Sequence, residues 1–467
     1  MNQSIDDIKI GLLPCMLDLY NRLSPTANEC LTKSFKREIS NLETDGLEFT
    51  LSSLACTQEQ VEAECGKLID KDIDLIVVAL AAYCPSGVIA PALLNVNTPI
   101  LLWPTPTILE LDPEKYDPET ELLNHGVHAV QDLANTLRKN NKAFGVIHGH
   151  WQQESFKEEF ENWAKAAKAI RSLQKSNPLQ IGGEFADMLD LQIGSDAFIK
   201  KLGITHKEVS PDEYHEIWQN VTDEQIEACI KDYRATFVIG DDLDNDLLNK
   251  AARGSISLKA VMKKYNSSAA GLNFLGLCND SRIAEPLHIA GCAIMSEGFG
   301  YAGEGDWVTA AFVYAMQQTC GIASFSEIFS VGYANNRILL KHWGEGNFAM
   351  AGEKPNLYKS RCNDLYDAEF ATVEFEFEQG EITLLNLNST PDGSGQIITI
   401  TGAITDDHTP KANGPRALFK PDCEDVRTLL TDYAYNGGSH HQALVMEDYT
   451  VVAEKICRLA GWKYIRL

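Results

Sequence analysis

The sequence predicts an α/β fold over its first two thirds, followed by a β-rich C-terminal domain. Two patterns indicate this division. Short apolar segments alternate with helical segments from Ile8 onwards, and after about residue 325 they give way to strands in which apolar and polar residues alternate. With 467 residues, the chain is long enough for about two to four domains with buried cores.

The N-terminal part of the chain predicts a parallel sheet. Its apolar segments are expected to form strands at Ile8–Cys15, Leu47–Leu54, Asp74–Leu80, Pro99–Trp103 and Lys142–His148. The helical segments between them lie at Glu29–Leu42, Gln58–Ile69 and Val127–Leu137. Short apolar strands separated by helices are typical of a parallel sheet that is covered by helices on both faces.

A long charged helix at Glu154–Gln174 leads into a second segment of the same kind. Strands are expected at Leu179–Gly182 and Ala269–Leu275, and helices at Asp223–Tyr233 and Leu243–Tyr265. This alternation again predicts strands covered by helices. We therefore expect a second α/β layer before the pattern changes.

The last third of the chain predicts antiparallel strands. Apolar and acidic residues alternate along Val373–Glu378, Gln379-Gly380 supplies a turn, and Glu381–Asn388 returns. This pattern predicts an antiparallel hairpin. Further elements are expected as a strand at Gln396–Thr405 and a closing helix at Tyr449–Ala460.

The net charge of −26 restricts the classes of partner. A surface this acidic repels nucleic acid and anionic membranes, so we expect neither as a partner. A neutral small molecule or a cation fits the charge more easily. No apolar run reaches the roughly 18 residues that suggest a membrane helix.

The N-terminal stretch and the cysteines indicate a cytoplasmic protein. Met1–Ile10 is polar and lacks the basic and apolar regions of a signal peptide. None of the twelve cysteines forms a C-x-x-C pair, which disfavours zinc-ribbon and thioredoxin sites. We expect reduced, buried thiols.

The segment Ser296–Trp307, with four glycines in twelve residues, is the first candidate for a functional site. We expect tight turns and close approach to a ligand there, not a regular element. Asp306 occupies the N-cap position of a following amphipathic helix, and Glu304 lies on the loop near the positive end of that helix. Alternatively, both acids are only capping or loop residues on a surface turn. A phosphate-binding loop is disfavoured, because no Gly-Lys-Ser/Thr follows.

Three further positions carry groups that bind metals. Glu327 lies between apolar neighbours, so it is either on the solvent face of a strand or a buried functional group. His342 stands where an apolar run becomes glycine-rich, which suits the end of an element at a cleft. Adjacent residues of a strand point to opposite faces, so at most one of His440 and His441 is expected to enter a given site.

Taken together, these positions offer two carboxylates and two imidazoles. Such a set suits a divalent cation with room for water or substrate oxygens, and the lack of a thiolate disfavours structural zinc. Each residue alone is equally compatible with a structural role. Their spacing does not establish that they converge.

The stretch Leu287–Trp307, containing G-F-G-Y-A-G-E-G-D-W, closely resembles the signature of L-arabinose isomerases. Several other stretches resemble segments of that family in the same order, namely Gly149–Gln152, Asn273-Phe274, Ser324–Phe329, His342 with Glu345, Glu353–Pro355, Arg416–Pro421 and Gly437–His441. The resemblance covers most of the chain and is strongest between about residues 270 and 441. So many matches in one order are difficult to explain by chance.

The resemblance implies a divalent metal, typically Mn²⁺, bound by Glu304, Glu327, His342 and His441. It also implies two Rossmann-like, doubly wound α/β domains followed by a β-barrel-like C-terminal domain. We place these domains at residues 1–152, 153–322 and 323–467. This division agrees with the pattern of predicted strands and helices.

The resemblance extends to residues that would contact the substrate. Tyr20 and Phe274 match family positions near the sugar, and His128 resembles a histidine that reaches the active site of a neighbouring subunit. A surface histidine at a helix start is the alternative for His128. If the resemblance holds, the active site requires self-association into trimers or hexamers.

The implied reaction is the interconversion of an aldose and a ketose. Glu304 and Glu327 would shuttle a proton between two sugar carbons through an enediolate, and Asp306 would orient a ligand. A metal-assisted hydride shift is the rival mechanism. A sugar-binding or regulatory homologue without turnover, and a metal-dependent lyase acting through an enediolate, are the alternative functions.

The N-terminal strand leaves the identity of the sugar open. The family has a Ser-Gln-His-Leu-Tyr-like end at this strand, whereas this chain has Pro14-Cys15-Met16 before its matching Leu19-Tyr20 pair. These residues would lie near the substrate. Another pentose or a hexose, such as fucose or galactose, is therefore as compatible as L-arabinose.

Overall fold

The computed structural model describes residues 7–23, 26–42, 46–192, 200, 203–362, 366–407 and 409–467. The chain forms two compact units. The first comprises residues 6–171 with 451–463, and the second comprises residues 172–450 with 464–467. The division into three domains at residues 152 and 322 stays a prediction.

The first unit contains the predicted parallel sheet. Its five strands run in the order β2-β1-β3-β4-β5, with every pair parallel. All five residues of β3 are buried, as expected for a central strand covered on both faces. This strand order is that of a common doubly wound fold. The strands are β1 (Ile8–Pro14), β2 (Leu47–Leu51), β3 (Leu75–Ala79), β4 (Ile100–Trp103) and β5 (Gly145–Val146).

Helices connect these strands, as predicted from the sequence. Thr57 caps one of them with its side chain, which accepts a hydrogen bond from the backbone of Gln60. The helices are α1 (Asp18–Leu23), α2 (Ala27–Leu42), α3 (Gln58–Asp70), α4 (Ser86–Leu94), α5 (Pro118–Leu123), α6 (Gly126–Lys139) and α7 (Glu154–Lys175).

The second unit begins with another parallel sheet, in the order β10-β9-β6-β7. The chain passes from β6 outwards to β7 and then returns to β9 on the other side of β6. In open α/β sheets such a reversal opens a crevice at the carboxyl ends of the strands, where ligands bind. The strands are β6 (Leu179–Ile181), β7 (Lys207–Val209), β8 (Val238–Ile239, which pairs outside this sheet), β9 (Ala269–Leu272) and β10 (Gly300–Gly303).

The described helices of this segment range from 5 to 20 residues in length. They are α8 (Pro211–Trp218), α9 (Asp223–Thr236), α10 (Asn245–Lys264), α11 (Phe274–Cys278), α12 (His288–Ser296) and α13 (Trp307–Cys320). We expected α13 to be amphipathic, but it is buried on nearly all sides. The reason is that it contacts both β9 and β10 and also strands of the C-terminal domain.

The C-terminal part of the second unit is a closed antiparallel barrel, in agreement with the predicted fold class. Six strands close in the order β15-β16-β17-β12-β11-β18, and β18 pairs back with β15. The strands of this part are β11 (Ala323–Gly332), β12 (Arg337–Lys341), β13 (Asn356–Cys362), β14 (Tyr366–Glu376), β15 (Gly380–Ser389), β16 (Gly395–Ile404), β17 (Pro415–Pro421), β18 (His441–Met446) and β19 (Lys463–Arg466). Its helix is α14 (Val426–Tyr435), whereas the following helix α15 (Thr450–Ala460) belongs almost entirely to the first unit.

The predicted hairpin between Val373–Glu378 and Glu381–Asn388 is wrong, although both strands exist. β14 pairs with β13 and β17, whereas β15 pairs with β16 and β18. The chain leaves β14 at Glu378, whose backbone N–H donates to the Met350 carbonyl at 2.8 Å. Alternation determines which face of a strand is buried, but it does not determine the neighbouring strand.

The expectation of no regular element in Ser296–Trp307 is also wrong, because Gly300–Gly303 forms the edge strand β10. A Cβ atom at Gly300 would lie only 2.0 Å from the Ala310 carbonyl oxygen. Glycine therefore lets α13 lie directly against the strand. The predicted tight turns flank β10, at Gly298 and Gly305.

No helix among the described residues is long and apolar enough to cross a membrane.

Candidate metal centre

The structure brings Glu304, Glu327, His342 and His441 together in the second unit. Each offers one ligand atom, and these atoms all lie within 4.8 Å of one another. Glu304 follows β10, so it stands at the carboxyl end of the parallel sheet. The other three belong to the barrel. Sheet and barrel thus contribute to one cluster.

The barrel register explains how its three ligands meet. Glu327 in β11 is paired with His441 at the start of β18. His342 directly follows β12, the other neighbour of β11. Side chains on the same face of adjacent strands lie close together, so the register alone accounts for their contact. The Nε2 atoms of His342 and His441 are 3.6 Å and 3.7 Å from Glu327 Oε1.

Glu304 reaches the barrel from a strained backbone. Its φ angle is +59°, in the left-handed region, and that of Gly305 is +76°. A non-glycine residue in this region costs on the order of 1–2 kcal/mol. The side chain of Glu304 is mostly buried, with Oε2 3.2 Å from His441 Nε2. The strain therefore accompanies a conformation that points a carboxylate at the barrel ligands.

The electrostatics of the cluster follow from these contacts. Burial alone would raise the pKa of Glu304. The contacts with His440 and His441 outweigh burial and hold this pKa well below its usual range. Burial likewise opposes protonation of His441, yet Asp306 and Glu304 raise its pKa to about 10. A divalent cation would replace the protons of the imidazoles.

Each ligand histidine has a carboxylate on its other ring nitrogen. Asp306 Oδ2 is 2.9 Å from His441 Nδ1, while Asp306 Oδ1 accepts the Thr309 N–H and caps α13. Glu345 Oε2 is 2.5 Å from His342 Nδ1. Carboxylates in this position fix the tautomer and the ring orientation of a metal-binding histidine. In both cases Nε2 is left facing the cluster.

Sequence reasoning did not assign a role to Glu345 or Tyr301. Glu345 is completely buried, and the Tyr301 hydroxyl donates a hydrogen bond to its second oxygen. The spacing His-x-x-Glu, at the point where an apolar run becomes glycine-rich, was the available signal for Glu345. Tyr301 lies in β10, inside the segment that we expected to be irregular.

Phe325 is a third residue to which the sequence analysis assigned no role. Its ring is fully buried and lies between the two ligand histidines, with centroids 4.6 Å from those of His342 and His441. An aromatic ring against both imidazoles limits their rotation and keeps water from that side of the cluster. It occupies the strand position two residues before Glu327, on the same face.

The expectation that only one of the paired histidines would enter the site is wrong. His440 Nε2 and His441 Nε2 are each 3.2 Å from Glu304 Oε2, and their ring centroids are 4.2 Å apart. The rule of opposite faces does not apply, because β18 begins at His441 and His440 precedes it. His440 therefore adds a third imidazole beside the carboxylates.

Phe274 follows β9, next to the strand that leads to Glu304. The preceding Asn273 caps α11 through its side chain. The Phe274 ring packs against Phe185 and against His288, with centroid distances of 5.8 Å and 6.0 Å. It thus lies at the carboxyl end of the parallel sheet, but contact with a substrate stays a prediction.

Tyr20 and His128 belong to the first unit, whereas the four ligands belong to the second. Tyr20 Oη is 3.4 Å from His125 Nδ1, and His125 Nε2 is 2.5 Å from His128 Nδ1. The Tyr83 ring packs near both histidines. These residues form a polar and aromatic cluster of their own, and their part in substrate binding stays a prediction.

The donor set fits a divalent cation. Two carboxylate oxygens and two neutral imidazole nitrogens suit hard to borderline ions. Such donors bind at about 2.0–2.2 Å, which separates them by roughly 3–4.4 Å. The separations within the cluster fall below 4.8 Å, so small side-chain movements suffice for all four to reach one ion.

Comparison with known proteins agrees with this geometry. The profile of the L-arabinose isomerase central domain matches residues 196–321, which include β9, β10 and Glu304. The chain is 22% identical over 401 residues to the L-arabinose isomerase of Vibrio parahaemolyticus, covering 82% of this chain and 79% of that protein. It is 23% identical over 453 residues to that of Klebsiella pneumoniae, covering 92% and 89%. For that of Thermotoga petrophila the identity is 22% over 378 residues, covering 79% and 75%.

Proposed function

We propose that this chain, which belongs to the L-arabinose isomerase-like family, is an aldose–ketose isomerase that acts on a small neutral sugar. The convergence of Glu304, Glu327, His342 and His441 is the observation that supports this function most directly. Binding a sugar alone does not require two carboxylates and two imidazoles. The alternatives are a sugar-binding or regulatory protein without turnover and a metal-dependent lyase.

We further propose that the site holds a divalent metal, most readily Mn²⁺. Glu304, Glu327, His342 and His441 would be its ligands, with Asp306 and Glu345 orienting the two histidines. When bound, the ion supplies Lewis-acid stabilisation of the negative charge that develops on the sugar oxygens. Neutral imidazoles in the set limit the total negative charge of the site.

The two carboxylates are suited to move a proton between adjacent sugar carbons. In the forward direction a carboxylate takes the proton from C2 of the aldose, and the C–H electron pair forms the C1–C2 double bond of an enediolate. The proton then returns to C1, and the hydroxyl proton moves from O2 to O1. Glu304 follows β10 and Glu327 lies in β11, so they can approach the two carbons from different directions.

A hydride shift would give the same product, and solvent deuterium separates the two mechanisms. Here the hydrogen on C2 passes to C1 with its electron pair, as hydride, while the O2 proton moves to O1. In D₂O, a carboxylate that exchanges its proton with solvent leaves deuterium at C1 of the ketose. A direct hydride shift carries the original hydrogen. Deuterium at C1 would therefore support the proton shuttle, and none would favour the hydride shift.

We propose that the protein works as a homo-oligomer, a trimer or hexamer, in which His128 contributes to the site of a neighbouring subunit. His128 lies on the first turn of α6, where it is exposed and available to another chain. Its ring is already oriented by His125. We do not assign one particular sugar as the substrate, because Pro14-Cys15-Met16 differ from the residues that the family has near the sugar.

The proposed function is tested with metal-free protein to which Mn²⁺ is added. A panel of aldoses, including L-arabinose, L-fucose and D-galactose, is screened for ketose formation and for C–C cleavage. We expect ketose formation from one or more aldoses only with metal. Tight Mn²⁺ binding without turnover of any sugar would favour the binding protein, and cleavage products would favour the lyase.

The assigned carboxylates are tested by Glu304→Gln and Glu327→Gln. Loss of a positioned base or acid lowers kcat by about 10²–10⁴-fold, so we expect at least that loss in each variant. The matched control is Glu381→Gln, which neutralises an exposed glutamate on β15 of the same barrel. If Glu304→Gln retains the activity of the control, the assignment is wrong.

A further inference from the structure

The loop after β6 places one more acidic residue beside the candidate metal centre. Asp190 lies in the segment between β6 and β7, and its side chain contacts His440. Asp190 Oδ2 is 2.6 Å from His440 Nδ1 and accepts the backbone N–H of His440 at 3.2 Å. One carboxylate oxygen thus holds both the ring and the main chain of His440.

The opposite side of the same imidazole faces the cluster. His440 Nε2 is 3.2 Å from Glu304 Oε2 and 3.8 Å from Glu327 Oε1. His440 is not one of the four residues whose ligand atoms converge. Its ring therefore bridges Asp190 on one side and the two carboxylates of the centre on the other. It also remains about one-third exposed, whereas His441 is fully buried.

Partial exposure means that packing alone does not hold the His440 ring. An imidazole can turn about its side-chain bonds and can exchange its proton between the two nitrogens. Asp190 removes this freedom. A carboxylate accepts hydrogen bonds but does not donate them, so Nδ1 must be the nitrogen that carries the hydrogen. The remaining nitrogen, Nε2, is then kept against Glu304 and Glu327.

We propose that Asp190 is a positioning residue for the reaction, which holds the His440 imidazole so that Nε2 is available to a sugar hydroxyl at the two carboxylates. The inference rests on the proposed function. It assigns the His440 ring to hydrogen bonding with substrate and not to metal binding. Among the described residues, the hydrogen bonds of the Asp190 side chain are with His440, so Asp190 acts through that residue.

A purely structural contact is the competing explanation, in which Asp190 only ties the loop to the barrel. The two explanations differ in what the Asp190→Ala variant changes. A structural tie lowers stability and leaves kcat of the folded protein unchanged. A positioning residue lowers kcat while the Mn²⁺ affinity of the four intact ligands stays close to that of the wild type.

The first measurement uses metal-free protein and no sugar. A hydrogen-bonded imidazole N–H gives a downfield proton NMR signal, which is assigned to His440 by its absence in His440→Gln. We expect the signal in the wild type and in Asp187→Asn, and its loss in Asp190→Ala. Asp187 is the matched control, because it is an exposed aspartate of the same loop. Persistence of the signal in Asp190→Ala would overturn the proposed contact.

The second measurement is kinetic. Removing a residue that orients a functional histidine typically costs about 10–100-fold, and we expect kcat of Asp190→Ala to fall by this factor. KM for the metal-saturated protein should change less than kcat, and Asp190→Glu should restore part of the loss. Combining Asp190→Ala with His440→Gln should add nothing to the loss in His440→Gln alone, because both changes remove the same function.

The outcomes separate the two proposals. If the wild type isomerises no sugar, the proposed function fails. If the wild type is active and Asp190→Ala has the kcat of Asp187→Asn, the positioning role fails while the proposed function stands. Additive losses in the double variant would also overturn the role, because Asp190 would then act independently of His440. Thermal unfolding of each variant shows whether a loss of activity is merely a loss of fold.

Discussion

At the scale of single residues, Asp306 performs two tasks that can be separated. One oxygen caps α13 and the other accepts from His441. Serine is also a good N-cap, but it lacks the second acceptor. We expect Asp306→Ser to lower Mn²⁺ affinity about 10–100-fold, because His441 loses the group that orients it. Asp306→Ala should in addition cost about 1 kcal/mol of stability through the lost cap.

Calorimetric titration of Mn²⁺ and urea unfolding distinguish these two effects. If Asp306→Ser binds Mn²⁺ as tightly as the wild type, then orientation of His441 by Asp306 contributes nothing to the site. If both variants unfold at the same urea concentration, the cap is unimportant for α13.

Glu285 lies just before α12 and outside the candidate metal centre. Its carboxyl group is fully buried. Burial raises its pKa to about 8, against partial opposition from Lys250 and the Leu287 backbone. Unfolding would return this pKa to about 4.3. Between these values the folded chain holds a proton that the unfolded chain releases.

The unfolding free energy should therefore fall as pH rises from about 4.3 to 8, by up to about 1.4 kcal/mol per pH unit. Glu285→Gln removes this dependence. The unfolding free energy of the variant should therefore increase relative to that of the wild type as pH rises, and the difference should stay nearly constant above about pH 8. Urea unfolding at several pH values measures the difference. If the difference in unfolding free energy between wild type and variant does not change with pH, the expectation is wrong. Glu381→Gln, at an exposed position, is the control.

The residues of the centre were recognisable in the sequence only through their order and the signature around Glu304. Each of Glu327, His342 and His441 alone was compatible with a structural role. Phe325 and Asp190 could not be found in the same way, because their significance arises from contacts with residues of other elements. Glu345 contacts His342 three residues away, and the spacing of the two was the only signal for it. The position of His440 was predicted wrongly, because the sequence does not show to within one residue where β18 begins.

At the scale of elements, β10 depends on glycine where α13 crosses it. Gly300→Ala would place a Cβ atom 2.0 Å from the Ala310 carbonyl oxygen and 2.7 Å from Tyr314 Cβ. The helix must move away, which typically costs about 1–3 kcal/mol. Asp306 and Glu304 lie between these two elements, so we also expect weaker Mn²⁺ binding.

Thermal unfolding and Mn²⁺ titration of Gly300→Ala check this expectation. Gly66→Ala in α3 is the control, since an added Cβ there meets nothing within 4 Å and favours the helix by up to about 1 kcal/mol. Wild-type stability together with wild-type metal affinity in Gly300→Ala would mean that the close packing of α13 is not required.

Most strands and helices were predicted within a few residues, because apolar periodicity depends on burial alone. β1 to β4, α3 and α10 are examples. The sequence was a poorer guide to which strands pair with one another. Val373–Glu378 and Glu381–Asn388 have the pattern of a hairpin, yet barrel closure gives each strand other neighbours. Such closure depends on the register of six strands together, and no short stretch of sequence encodes it.

At the scale of the whole molecule, the proposed oligomer predicts complementation between inactive variants. His128→Ala removes the group proposed to act in a neighbouring subunit, and Glu304→Gln inactivates a subunit's own centre. Mixed oligomers contain some sites with an intact Glu304 and an intact neighbouring His128. With random mixing of equal amounts in a closed ring, roughly a quarter of the sites are of this kind.

Activity is measured after the two variants are unfolded together and refolded, or after they are coexpressed. Recovery of activity in the mixture, with none in either variant alone, would support a shared site. No recovery, in mixtures that size-exclusion chromatography shows to contain both chains, would contradict it. A monomeric wild type with full activity would contradict the proposal more directly.

The separation of the ligands along the chain has a consequence for how the protein matures in the cell. Glu304 follows β10, the last strand of the parallel sheet of the second unit, but its partner His441 belongs to β18, the last strand to complete the barrel. Chains are synthesised from the N-terminus and fold in that order. A growing chain can therefore complete this parallel sheet before the four residues of the centre meet. If the centre holds the proposed metal, loading is a late event, and a shortage of the ion would leave folded protein without it.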